Sequence, residues 1–135
     1  MMEYQERTIK RIFSIQFSGG DRIIECLEKL SQEKKIRTGA IILLGALSNG
    51  NLVSGFRKYS RTPMDFSPMS FSQTQEVVGV GSITWVNEKP EVHLHAGLGR
   101  EREVFIARIE EADVAGAEAF ILELSGTSLT SAILV

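Results

Sequence analysis

The chain is poor in several things that would narrow its chemistry: it has one cysteine, two histidines, three prolines and one tryptophan. A lone Cys26 excludes an internal disulfide and a thiolate zinc cluster, which removes stapled scaffolds and zinc fingers. His93 and His95 then carry most of the remaining metal chemistry. Long hydrophobic runs are also missing. The longest apolar stretch, Ala40 to Leu47, is interrupted by Gly45 and falls far short of the ~20 residues of a membrane span. The first ten residues hold Glu3, Glu6, Arg7 and Lys10, with no apolar segment and no small-residue cleavage site. That is not a signal peptide, and the expectation is a cytoplasmic protein with no membrane partner. Strong charge of one sign is absent too: the net charge is −2 and the sequence pI about 5.7, which argues against a self-sufficient nucleic-acid domain. The small net charge hides a split. Residues 1–61 hold 11 Lys and Arg against 6 Asp and Glu, a balance of +5, and residues 62–135 hold 4 against 11, a balance of −7. Such a dipole can guide self-association or contact with a polyanion, unless the two halves interleave in one fold.

What is present suits a globular fold. With 135 residues, 43% of them apolar, the chain can fill one core, and one domain over 1–135 is expected. Arg11 to Phe17 places Ile12, Phe13, Ile15 and Phe17 in the pattern of a half-buried strand. After Ser18-Gly19-Gly20, Asp21 is a plausible N-cap. Ile23, Ile24, Leu27 and Leu30, with Lys34 and Lys35 at the far end, then predict an amphipathic helix of about four turns. Cys26 lies beside its apolar stripe as a buried, inert thiol. Two apolar runs, Ala40 to Leu47 and Leu52 to Phe56, flank Asn49-Gly50, which predicts a hairpin turn. Gly45 marks a bulge or a close backbone approach. Residues 59–70 suggest a long loop. Strand patterns follow at Gln75 to Val86, Glu91 to Leu98, Glu103 to Ile109, Ala117 to Leu124 and Ser128 to Val135, with a turn at Asn87-Glu88-Lys89-Pro90. Seven or eight strands and one main N-terminal helix make an α+β fold with a largely antiparallel sheet. The apolar end, Ala132 to Val135, belongs in the sheet or at a subunit interface.

The sharpest chemical signal is Val92-His93-Leu94-His95. Residues i and i+2 of a strand share a face, so both imidazoles point the same way and can grip one ion such as Zn. No third histidine exists. Glu76, Glu103, Glu110 or Glu111 would have to complete such a site, and two half-buried histidines bonded to backbone or carboxylate are the plainer alternative. Gly97 and Gly99 in GLGRERE lack the spacing of a phosphate loop, so this stretch suggests a turn with its charges in water. Arg57, Lys58 and Arg61, interleaved with Phe56 and Tyr59, form a small basic cluster that can touch phosphates or simply be solvated. Nucleophilic catalysis has little support: Ser48 in GALSNG does not sit in a G-x-S-x-G elbow.

The order of these motifs resembles the plants-and-prokaryotes conserved domain: a helix after Gly-Gly-Asp, IILLGALSN over 41–49, EVVGVGSI over 76–83, VHLH over 92–95 and Glu118 to Leu124. The likeness spans about 125 residues. It implies a curved antiparallel sheet with a helix and a homotrimer, and DNA as the partner by analogy with plant AT-hook proteins. No AT-hook is present. The family's Gly-Gly-His-Leu segment, whose histidine joins the pair in a three-histidine metal cluster, corresponds here to Ile106-Ala107-Arg108-Ile109. The resemblance thus places Arg108 at the third-ligand position, where a guanidinium repels a cation, and a His93, His95, Arg108 pocket favours a small anion. Two readings follow. The favoured one is a non-enzymatic, homotrimeric binding and assembly protein that contacts DNA phosphates through Arg57, Lys58 and Arg61. The other is a metal-dependent or small-anion-binding enzyme centred on His93 and His95.

Overall fold

A computed structural model describes residues 1–54 and 67–126. Six strands and one helix run in the order β1 (Ile9–Gln16), α1 (Ile23–Lys34), β2 (Gly39–Ser54), β3 (Ser67–Phe71), β4 (Gln75–Val86), β5 (Lys89–Arg100) and β6 (Glu103–Leu124). All strand pairs are antiparallel, in the order β1-β6-β5-β4-β2-β3, and an added β6–β2 pairing closes β2, β4, β5 and β6 into a ring. The α+β expectation holds, with six strands among the described residues where seven or eight are expected in the chain. The last expected strand, over 128–135, lies outside the described residues.

The count differs because two pairs of expected strands are single long ones. β2 runs through Asn49-Gly50 without turning. Gly50 serves a different need: a Cβ there would stand 2.7 Å from Ala112 Cβ and 2.8 Å from the Glu111 carbonyl oxygen, so glycine allows β2 to cross β6 closely. Gly45 does the same with a left-handed φ of 141°, its virtual Cβ 2.4 Å from the Gly116 carbonyl oxygen. β6 likewise continues through Glu110 to Gly116, where Ala112 and Val114 keep the buried alternation and the register with β2 shifts at bulges. Part of the expected 59–70 loop is strand β3. The β4–β5 turn is tighter than expected: Asn87 and Glu88 both take positive φ, 51° and 64°, and Lys89 already pairs with Val86.

The inner face of the ring holds the core. Cross-strand rows such as Ile121–Ile41–Gly81–Leu94 and Ala119–Leu43–Gly79–Ala96 place Ile41, Leu43, Leu94 and Ile121 at 1% exposure or less. Each such side chain contributes about 1.5–3 kcal/mol by leaving water. Helix α1 covers this core with Ile23, Ile24 and Leu27. It is 12 residues long, shorter than expected, and its N-cap is Arg22, with no side-chain cap bond. Asp21 instead accepts a hydrogen bond from the Ser18 N–H at 2.8 Å. The exposed helix-end donors go to a distant residue: Ile24 and Glu25 N–H donate to the Glu111 carboxylate at 2.8 and 3.1 Å. A carboxylate there satisfies two orphan donors and meets the positive end of the helix dipole. Lys35, at φ 54°, ends the helix in the left-handed region.

Charges from the two halves of the sequence meet in this sheet. Arg11 of β1 pairs with Glu123 of β6, and the uncharged β2 pairs with β4 and β6 over most of its length, so the +5 and −7 halves interleave.

Candidate functional site

β5 alternates Val92, Leu94, Ala96 and Leu98 into the core, so His93 and His95 stand on the opposite, outer face. The ladder identifies their neighbours. Ser82 lies opposite His93 on β4, and Val80 lies opposite His95; on the other side of β5, Arg108 of β6 is the direct partner of His95. Paired residues in an antiparallel ladder have Cα atoms about 4.5–5.5 Å apart and share a face, so His95 and Arg108 belong to one row. His93 lies one row further along.

Around His93 the surroundings are polar but thinly bonded. Its Nε2 is 3.5 Å from a Glu91 carboxylate oxygen. That spacing is an ion pair only when the imidazole is protonated, and the nitrogen is otherwise buried without a hydrogen bond, as are Ser82 Oγ and Thr84 Oγ1 beside it. Glu28 of α1 reaches the same edge of β5, accepting the Val92 N–H at 3.0 Å. Burial raises its carboxyl above the usual carboxylate range against the lowering effect of that bond. Cys26 is half-buried on the same helix, and burial pushes its thiol up, which keeps it protonated and unreactive.

A metal does not suit the residues that surround the pair. The cross-strand neighbours of His95 are an aliphatic side chain and a guanidinium, and a permanently charged guanidinium cannot ligate a cation. Glu76 pairs with Gly99 and Glu103 with Arg100, away from the histidines. Glu110 instead lies 4.0 Å from Arg108, and Glu111 is occupied at the helix end. Among the described residues no three His, Cys, Asp or Glu side chains gather as a metal-binding group. Arg57, Lys58 and Arg61 lie outside the described residues.

The outer face has a second property that sequence patterning did not single out. The rows Leu44–Val78–Gly97–Ile106, Ile42–Val80–His95–Arg108 and Ala46–Glu76–Gly99–Val104 place six aliphatic side chains on one surface. Val78, Val80, Val104 and Ile106 are 63–74% exposed, Ile42 and Leu44 about 40%. Gly97 stands between Val78 and Ile106 in the first of these rows, where a Cβ would make an ordinary 3.9 Å contact with the Val78 carbonyl oxygen. The signal was the near-continuous apolar character of 41–44 and 77–80, which a sheet with one wet face does not need. No helix of the described residues is long and apolar enough to cross a membrane.

Solved structures of other proteins share this fold. A metal-containing protein of Archaeoglobus fulgidus superposes with a TM-score of 0.83 at 23% identity, over 94% of this chain and 89% of that one. A plant- and prokaryote-conserved (PPC) protein of Pyrococcus horikoshii gives 0.81 at 22% identity, over 94% and 87%. A candidate DNA-binding protein of Bacteroides thetaiotaomicron gives 0.73 at 23% identity, over 90% and 86%. No curated protein matches the sequence. The family model of the Plants and Prokaryotes Conserved (PCC) domain matches residues 4–125, the span that carries β1, α1, the closed ring and the histidine strand, and the chain belongs to that family.

Proposed function

We propose that this protein is a self-assembling DNA-binding protein, a homotrimer whose subunits meet through the outer aliphatic face and whose basic side chains contact DNA phosphates. The observation that carries the assembly is the surface of Ile42, Leu44, Val78, Val80, Val104 and Ile106, exposed on the face opposite a complete core. Contiguous apolar patches of this kind mark interaction surfaces, and burying one in a closed symmetric assembly removes it from water without leaving a free copy of the patch. Family membership and the DNA-binding description of a structural neighbour support DNA as the partner. Arg57, Lys58 and Arg61 supply the phosphate contacts, and three copies around an axis strengthen contacts that are weak singly.

Sedimentation analysis of wild type and Val80→Lys, with duplex DNA binding titrated against salt, tests both parts. The expected result is a trimer that the lysine disperses, with affinity that falls as salt rises. A monomer at every concentration overturns the assembly. Absent or salt-independent DNA binding overturns the phosphate contacts.

The pairing of His95 with Arg108 favours a second reading, a small-anion site of His93, His95 and Arg108. Inorganic phosphate or sulfate then raises the thermal midpoint of wild type and leaves Arg108→Gln unchanged; equal shifts in both remove this reading.

A further inference from the structure

At one end of the closed ring, β4 begins, β5 ends and β6 begins. Gln75 and Arg100 extend the inward-facing series Val77 and Leu98 by one step, Arg100 pairing with Glu103, while Phe105 lies in the last core row beside Leu98, so together they surround the mouth of the ring. With Gln73 and the Glu101-Arg102 turn, they line a cavity of about 500 Å³, within the ~300–1,000 Å³ range of small-ligand sites, which favour the mouths of β-barrels. Its walls are organised. Arg100 donates to the Gln73 side-chain oxygen, and the Gln75 amide donates to the Gln73 carbonyl oxygen at 3.3 Å. Glu101 takes a left-handed φ of 59°, which turns the chain tightly between the two arginines. Phe105 is half-buried, packing on the core while still lining the cavity.

We infer that this cleft binds a nucleotide: phosphate on the guanidiniums of Arg100 and Arg102, base against the Phe105 ring, and base edge on the carboxamides of Gln73 and Gln75. Each part has a physical basis. Guanidinium forks match phosphate oxygens with paired charge-assisted hydrogen bonds. An aromatic ring stacks on any base, and the halves of the two carboxamides outside those wall bonds, the Gln73 Nε2 donor and the Gln75 Oε1 acceptor, can meet a base edge. Glu101 and Glu103 balance the two arginines, so the cleft does not attract polyanions indiscriminately. A ligand must combine phosphate with a planar hydrogen-bonding group. The cleft lies on the side away from Val104 and Ile106, because Phe105 alternates with them along β6. It therefore stays open when the aliphatic face is covered.

The nucleotide can come from a single strand or be free in solution. The first source rests on the DNA-binding reading; the second does not. Fluorescence anisotropy with a labelled oligodeoxyadenylate and with duplex DNA, and calorimetry with AMP, are compared for wild type, Arg100→Gln/Arg102→Gln and Phe105→Leu, each shown by circular dichroism to be folded. For a single strand, the double variant is expected to bind at least about tenfold more weakly, with a log–log salt slope lower by about 1.4 for two lost phosphate contacts. Phe105→Leu is expected to lose about tenfold through stacking. Wild type and a folded double variant that bind single strand and AMP equally well overturn the cleft while leaving the DNA-binding reading intact. Wild type that binds no DNA but binds AMP through Arg100 and Arg102 overturns the DNA-binding reading and keeps the cleft. Binding of neither overturns both.

Discussion

The two faces of the β4–β5 pair are built from similar residues and have opposite fates. Val77, Ile83, Leu94 and Leu98 point inward at 2% exposure or less, while Val78 and Val80, their neighbours in the chain, stand outward above 60%. The inner set is covered by the far side of the ring and by α1; among the described residues nothing comparable covers the outer set. Side-chain chemistry alone does not say which of two apolar faces becomes the core. Ring closure decides it, and the face left over is the one available for a partner.

The largest effect expected across this comparison is on the inner side. Leu94→Ala should lower stability by about 2–5 kcal/mol in urea unfolding, since the ring cannot collapse onto the cavity. Val80→Lys should leave the fold within about 1 kcal/mol of wild type under monomeric conditions while dispersing the assembly in sedimentation. If Val80→Lys proves as costly as Leu94→Ala in a monomer, the outer face is part of the core and the contrast fails.

A smaller effect is expected at the seam where α1 meets β5. Glu28→Ala removes the acceptor of the Val92 N–H and should cost about 1–2 kcal/mol, with faster amide exchange at Val92. Glu28→Gln keeps an acceptor and removes a carboxylate whose burial raises its folded pKa. For a raised acid, stability declines as pH rises from the unfolded value, near 4.3, to the folded one. The glutamine variant should therefore match or exceed wild-type stability at neutral pH and lose that margin in acid.

The smallest effect is expected at the edge strand, and its pH dependence has the opposite sign. Arg11 of β1 grips Glu123 of β6 with two hydrogen bonds, 2.7 and 2.8 Å. Bonding to the guanidinium holds the buried Glu123 carboxyl below the usual carboxylate range against the raising effect of burial. This contribution is complete above the unfolded pKa and disappears as pH falls through the folded one. Arg11→Gln should lower the thermal midpoint at neutral pH and flatten its fall in acid. An unchanged acid limb would show that the pair adds little.

Much of the fold was legible because its signals are local. The apolar spacing of 23–30 marks α1, and alternation marks β4 and β5. VHLH puts both histidines on one face, and that survives in the structure because period-2 geometry holds for any strand. Reading failed where long-range crossing overruled local chemistry. Asn49-Gly50 has the composition of a turn, yet Gly50 is there for contact with β6. Glu111 follows the expected strand end at Ile109 and reads as a candidate ligand carboxylate, yet it holds a helix terminus, accepting the N–H of Ile24, 87 residues away in sequence. Arg100 and Arg102 are exposed turn charges, as their pattern predicts; what the pattern does not show is that closure of the ring brings Gln73, Gln75 and Phe105 beside them.

By itself the sequence determined the α+β class, the single main helix, the shared face of His93 and His95, and the exclusion of disulfide and thiolate-zinc scaffolds. Each rests on the period of a helix or strand or on a residue count. Only tertiary structure decided that β2 and β6 are continuous, that Arg108 pairs with His95 rather than His93, and which apolar face is left exposed. These depend on register between strands far apart in the chain, and register is set by the bulges and glycine crossings of the closed ring.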